Sequence, residues 1–172
     1  GEVDRTSSTS LGDEALTREE KYRYLTAFML FAGAQYRRLG WVMQINYGVV
    51  RNGNTKMFRQ LGPNTGFDSI GNHTPSQPLV AFLDALCVDD NLPRTVLYSL
   101  NPGDFTTIAS VIGNYQDSEI PGKLQLGTGW WFHDNKTGMQ EQMTCLANQG
   151  ALGTFIGMLT DSRSFTSYTR HE

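Results

Sequence analysis

The chain has 172 residues, 39% of them apolar and 18% charged, enough for one packed domain and not the profile of a disordered one. Its 14 Lys and Arg against 17 Asp and Glu leave a formal charge of −3, which argues against a nucleic-acid surface. No apolar run approaches the ~20 residues of a bilayer span, and two distant cysteines, Cys87 and Cys145, make neither a disulfide framework nor a Cys-x-x-Cys metal site.

Residues 1–12 are polar and acidic, carry no basic-then-apolar signal, and read as a flexible leader of a soluble, cytoplasmic protein. Residues 13–172 read as part of a single α/β domain. Leu16, Tyr24, Leu25, Phe28, Met29, Phe31, Ala32 and Tyr36 recur at helical intervals, predicting one long helix with a core-facing aromatic stripe. Thr17 and Glu20 have capping-box spacing, and Gly40 after Arg37-Arg38 is a helix stop. Four short apolar runs follow: Trp41–Val50, Arg94–Pro102, Lys123–Phe132 and Thr154–Phe165. Each is closed by Gly, Pro, Asn or Asp and reads as a strand. Helical stretches beginning at Pro78, Asp104 and Lys136 lie between them. Strand and helix alternating at about 30-residue spacing predict parallel strands with crossover helices. Four such units with no helix after the last are too few for an eight-stranded barrel, which takes ~250 residues. The expectation is a piece of something larger.

Chemistry in such sheets gathers at the carboxyl ends of the strands. There the sequence places Asn46 and Arg51, then Asn101, then Trp130-Trp131, then Asp161 and Arg163. That set suits a small, polar, anionic substrate. Asp161 leaves an apolar run where the strand opens, so its carboxylate can bind a divalent metal or move a proton. Arg163 points to the same side if the chain stays extended and can grip a carboxylate in two places. A structural Asp–Arg pair tying a loop fits the same spacing. Trp130 or Trp131 can stack on a sugar ring, but neighbours on a strand face opposite ways, so at most one lines the mouth. Arg51, in Arg-Asn-Gly-Asn, either binds an anion or belongs to an ordinary turn. The three histidines are isolated, and Gly127-Thr128-Gly129 precedes tryptophans in place of a phosphate-loop lysine, so a nucleotide site has little support.

WVMQINYGVVRNGNTKMFRQLGPNTGFDSIG, LYSLNPGD, IGNYQDSEIPGKLQLGTGWWFHDNKTGM and GMLTDSRSFTSYTRHE stand in order from Trp41 to Glu172. Together they resemble uronate (glucuronate) isomerases of the amidohydrolase superfamily, with the likeness running from about Thr17 to the end. The resemblance implies a metal-dependent (β/α)8 TIM barrel that interconverts D-glucuronate with D-fructuronate and D-galacturonate with D-tagaturonate. It makes the four strands the fifth to eighth, a C-terminal half-barrel. It implies that Asp161 ligates the divalent metal, zinc or manganese, and takes part in proton transfer. It makes Arg163 the active-site arginine and places Trp130-Trp131 after the seventh strand. The family's first-strand His-x-His metal motif is not in this chain, and Asn46 stands where the family usually has a histidine. Asparagine can bond a sugar hydroxyl but cannot shuttle a proton near neutral pH. A non-catalytic half-barrel binding sugar acids or a partner chain is the alternative. Half a barrel leaves open sheet edges, so the expectation is self-association or pairing with the missing half. Partners expected beyond that are a uronate, with no nucleic acid and no membrane.

Overall fold

The computed structural model describes residues 16–158 and 165–171. The predicted leader, Asp161 and Arg163 lie outside them. The described chain divides into two compact units, one formed by residues through Met43 with Ala81–Arg94, the other by Gln44–Val80 with residues from Thr95 on.

The first unit is built on helix α1 (Arg18–Leu39). Thr17 accepts the Glu20 amide at 3.2 Å while Glu20 accepts the Thr17 amide at 3.0 Å, so the expected capping box forms. Gly40 closes the helix in the left-handed region, φ 69°, with its N–H on the last carbonyls. Inside this unit a Cβ at Gly33 would lie 2.8 Å from Leu86, a contact that only a missing side chain permits. The expected core-facing stripe is corrected. Gly33 is the helix's one buried residue, while Tyr22, Leu25, Phe28 and Phe31 are each more than half exposed, because no described element covers them.

The second unit contains most of the sheet. Strand β1 (Val42–Tyr47), β4 (Arg94–Ser99) and β5 (Leu124–Leu126) assemble in the order β1-β4-β5. β4 and β5 are parallel, pairing Thr95 with Leu124 and Leu97 with Leu126. From Thr95 to Ser99 every residue is buried, as is all of β5, the pattern of strands covered on both faces. Helices α4 (Phe105–Gly113) and α5 (Lys136–Gln149) supply much of that cover through Ile108, Ala109, Ile112 and Leu146. Gln142, wholly buried on α5, donates to the Leu126 carbonyl at 3.0 Å. Between the units in sequence runs α3 (Ser76–Cys87). The class is therefore mixed α/β with parallel strands, as expected.

Three strand boundaries depart from expectation. Trp41–Val50 breaks at Gly48, φ 85°, where Ser99 Oγ would stand 2.6 Å from a Cβ. The chain beyond it forms a two-residue strand β2 (Val49–Val50), antiparallel to β3 (Ser69–Ile70), with helix α2 (Thr55–Leu61) between them. Lys123–Phe132 keeps strand geometry only to Leu126, and at Gly127 the Tyr98 ring occupies the place a Cβ would take. In the run Thr154–Phe165, Leu152–Thr154 forms a 3-10 turn and residues 155–158 form no strand. There the Ile156 N–H bonds the Gln125 side chain at 3.0 Å, and Gly157 turns at φ 84°. No helix among the described residues is long and apolar enough to cross a membrane.

Candidate functional site

Past Gly48 the chain leaves the sheet as a strap. Val49 pairs with Ile70 and Val50 with Ser69, and the Gly71 N–H closes on the Gly48 carbonyl at 2.7 Å. Asn52 takes a left-handed turn, φ 56°, and Asn54 caps α2 by accepting the Met57 amide. The Arg-Asn-Gly-Asn segment is thus a turn, and the turn presents Arg51. One guanidinium nitrogen donates to Asp68 Oδ2 at 3.0 Å. The other Asp68 oxygen accepts the Asn52 amide at 2.8 Å. The Arg51 cation lies 4.6 Å from the centre of the Trp131 ring. Its side chain remains half exposed, and Asp68 takes only one of its guanidinium nitrogens.

Trp130 and Trp131 follow β5 but are not on it, which corrects the expectation that they alternate across a strand. Trp131 adopts φ 52° and opens a 3-10 turn, Trp131–His133. The two indoles meet at 57° with centroids 5.2 Å apart. Trp131 faces Arg51, while Trp130 packs edge-on against Tyr98 at 6.3 Å. Among the described residues the buried Trp130 indole N–H has no hydrogen-bond partner, a donor whose desolvation costs ~1–3 kcal/mol until something accepts it. Tyr98 donates to Gln44 Oε1 at 3.0 Å, and burial pushes its phenol up to about 12.

At the end of β4 a second polar cluster forms around Asp104, almost wholly buried. It accepts from Ser99 Oγ at 2.7 Å and from the Thr74 amide at 3.1 Å, with His73 Nδ1 also at 3.1 Å. Asn101 reaches the Gly71 carbonyl at 2.9 Å, so the strap's return is pinned to this strand end. Burial raises the Tyr47 phenol, and the Asp104 charge raises it further.

Of the sequence candidates, Arg51, Trp130 and Trp131 come together, and Asn46 lies exposed on β1. Asp161 and Arg163 lie outside the described residues. Asp68 and Asp104 belong to no catalytic or metal-binding motif visible in the sequence. Asp68 stands 17 residues from Arg51, and an antiparallel pair of two-residue strands gives too little periodicity to show the contact. No group of three metal-binding side chains occurs among the described residues, so they do not by themselves form a divalent-metal centre. A cavity of about 180 Å³ near the start of β5 is lined by Ile112, Leu124, Gln125, Leu146 and Thr154 among others. The Gln125 amide there is already engaged by Gly122, Thr154 and Ile156.

The family model for glucuronate isomerase matches residues 1–172. The chain belongs to the glucuronate isomerase family. It is 52% identical over 171 residues to the uronate isomerase of Lachnoclostridium phytofermentans, covering 99% of this chain and 37% of that protein. It is 50% identical over the same length to that of Caldanaerobacter subterraneus subsp. tengcongensis, again 37% of that protein. The crystal structure of the Thermotoga maritima uronate isomerase superposes with a TM-score of 0.84 at 29% identity, covering 98% of this chain and 36% of that one. The chain thus spans a little over a third of the length of these family members. The Arg51 strap and the tryptophan pair are features of a glucuronate isomerase segment.

Proposed function

We propose that the protein containing this chain is a uronate isomerase of the amidohydrolase superfamily. It interconverts D-glucuronate with D-fructuronate, and D-galacturonate with D-tagaturonate. The family match over the whole chain carries this reading. The chain would supply the fifth to eighth strands of a (β/α)8 barrel, and its sheet edges would pair with the complementary half or with a second copy. A lone, cooperatively unfolding monomer in sedimentation at micromolar concentration would count against that pairing.

Aldose–ketose isomerisation moves the C2 proton to C1 while a hydroxyl proton passes from O2 to O1. It needs a base near carbon, stabilisation of the oxygen that gains charge, and a cation for the substrate carboxylate. Arg51 is suited to the last task, because its cation is held on one side by Asp68 while its side chain stays half exposed. Trp131 would lie along the sugar, Trp130 would donate its unpartnered N–H to a substrate oxygen, and Asn46 would bond a hydroxyl. Asp161 is the proposed base, taking the proton from C2 and returning it at C1. Arg163 is the proposed stabiliser of the developing oxyanion, or a second grip on the carboxylate. The family implies zinc or manganese, with Asp161 the ligand from this chain. The described residues do not by themselves form that centre.

The test is ketose formation from glucuronate by the full-length protein. Asp161→Asn keeps shape and one acceptor but loses basicity, and turnover should fall by at least ~100-fold with the fold intact. Arg163→Met should also lower it, and the 172-residue chain alone should give none. Near-normal turnover by Asp161→Asn would overturn the role given to that residue.

A further inference from the structure

Asp68 takes one nitrogen of the half-exposed Arg51 guanidinium. An arginine half in solvent samples many rotamers, and fixing them costs up to ~2 kcal/mol. Here two contacts have already restricted the head. Asp68 Oδ2 takes one nitrogen at 3.0 Å, and the Trp131 ring lies against the cation at 4.6 Å. The carboxylate is itself fixed, since Oδ1 accepts the Asn52 amide at 2.8 Å and its side chain is only 11% exposed. Asn52 is the residue whose left-handed turn sets the strap's direction. One carboxylate therefore couples the turn to the aim of the arginine.

We propose that Asp68 is a positioning residue that pre-orients Arg51 on Trp131 for the substrate carboxylate, setting the preference for acid sugars over neutral ones. This rests on the reading that Arg51 meets that carboxylate. Among the described residues Asp68 takes one guanidinium nitrogen, which leaves the other donors for a ligand. Asp68 thus lowers the entropy of capture without touching the sugar.

The decisive variant is Asp68→Asn in the full-length protein. The amide oxygen can keep the Asn52 N–H bond, which turns the amide nitrogen toward Arg51, donor against donor. The strap stays tied and the arginine is released. KM for glucuronate should rise about tenfold, with kcat falling far less, and the preference for glucuronate over glucuronamide as competing ligands should shrink by a similar factor. Added to Arg51→Met, which should abolish the preference, Asp68→Asn should have no further effect, because it acts through that arginine. The proposal is overturned if Asp68→Asn leaves KM and preference unchanged while Arg51→Met raises KM. It is equally overturned if Asp68→Asn weakens glucuronate and glucuronamide alike, the mark of a purely structural role. If Arg51→Met itself changes neither KM nor preference, the reading of Arg51 falls and this proposal with it.

Discussion

Two parts of the second unit are held together by different physics. In the β4–β5 layer, Leu97, Ile108, Leu124 and Leu126 have essentially no exposure, and the strands run parallel between helices. In the strap from Gly48 to Gly71, each strand has two residues, α2 buries none of its own, and polar bonds do the joining: Gly53 N–H to the Phe67 carbonyl, Asn52 and Arg51 to Asp68. Burial is non-directional and tolerant of drift, so it gives a stable layer. Hydrogen bonds and ion pairs contribute little net stability but fix angles. The layer carries the fold, and the strap carries the aim of a charged side chain.

That contrast predicts where substitutions will hurt stability. Leu97→Ala should cost about 2–5 kcal/mol, read as a fall in the chemical-denaturation midpoint of the full-length protein, because the surrounding layer cannot collapse into the hole. Val50→Ala in the strap, where the side chain is half exposed, should cost well under ~1 kcal/mol by the same measurement. Equal costs would break the comparison. Gln125→Leu should fall between, at about 1–3 kcal/mol. It strips a buried amide that serves the Gly122 and Thr154 carbonyls and the Ile156 N–H, leaving those groups without their partner.

The same contrast explains what could be read in advance. Helix α1 was legible at both ends because capping is local chemistry, with Thr17, Glu20 and Gly40 each within a turn of the groups they satisfy. β4 was legible because a buried parallel strand is a continuous apolar run. The early end of β5 was not, and Gly127 just past it packs against the Tyr98 ring, a neighbour 29 residues away that local pattern does not report. Arg51, Trp130 and Trp131 were visible as residue types at strand ends. Their meeting was not, since it depends on the left-handed turns at Asn52 and Trp131, two conformations uncommon outside glycine. The buried face expected for the aromatic stripe of α1 required knowing what else packs there, which periodicity does not report.

Alkaline pH separates the regions in another way. Tyr98, in the layer, has its phenol raised from 10.0 to about 12 by burial, so the folded state holds its proton where the unfolded state has released it. Its contribution is fully present below pH 10 and is lost as pH climbs toward 12. Tyr47, also raised, adds to the same limb. Melting temperature should therefore drop between pH 10 and 12, and Tyr98→Phe should drop less steeply over that window while starting slightly lower, having lost the bond to Gln44. An identical slope in wild type and variant would remove Tyr98 as a cause.

The most local effect is expected at Asn54, and it is the one that sharpens the comparison most. Asn54 caps a helix with no buried residue, accepting the Met57 amide at 3.1 Å, so Asn54→Ala should cost α2 about 1 kcal/mol. If the strap opens as a unit of its own, that loss appears locally. The amides of Gly53 and Gly71, which close the strap, should exchange with solvent roughly fivefold faster at about 1 kcal/mol of added opening, while those of Thr95 and Gly127, bonded within the layer, keep their rates. The global unfolding midpoint should scarcely move. Faster exchange at Thr95 and Gly127 to the same degree would mean that strap and layer open together, and the aim of Arg51 would then be secured by the core and not by the polar ties around Asp68.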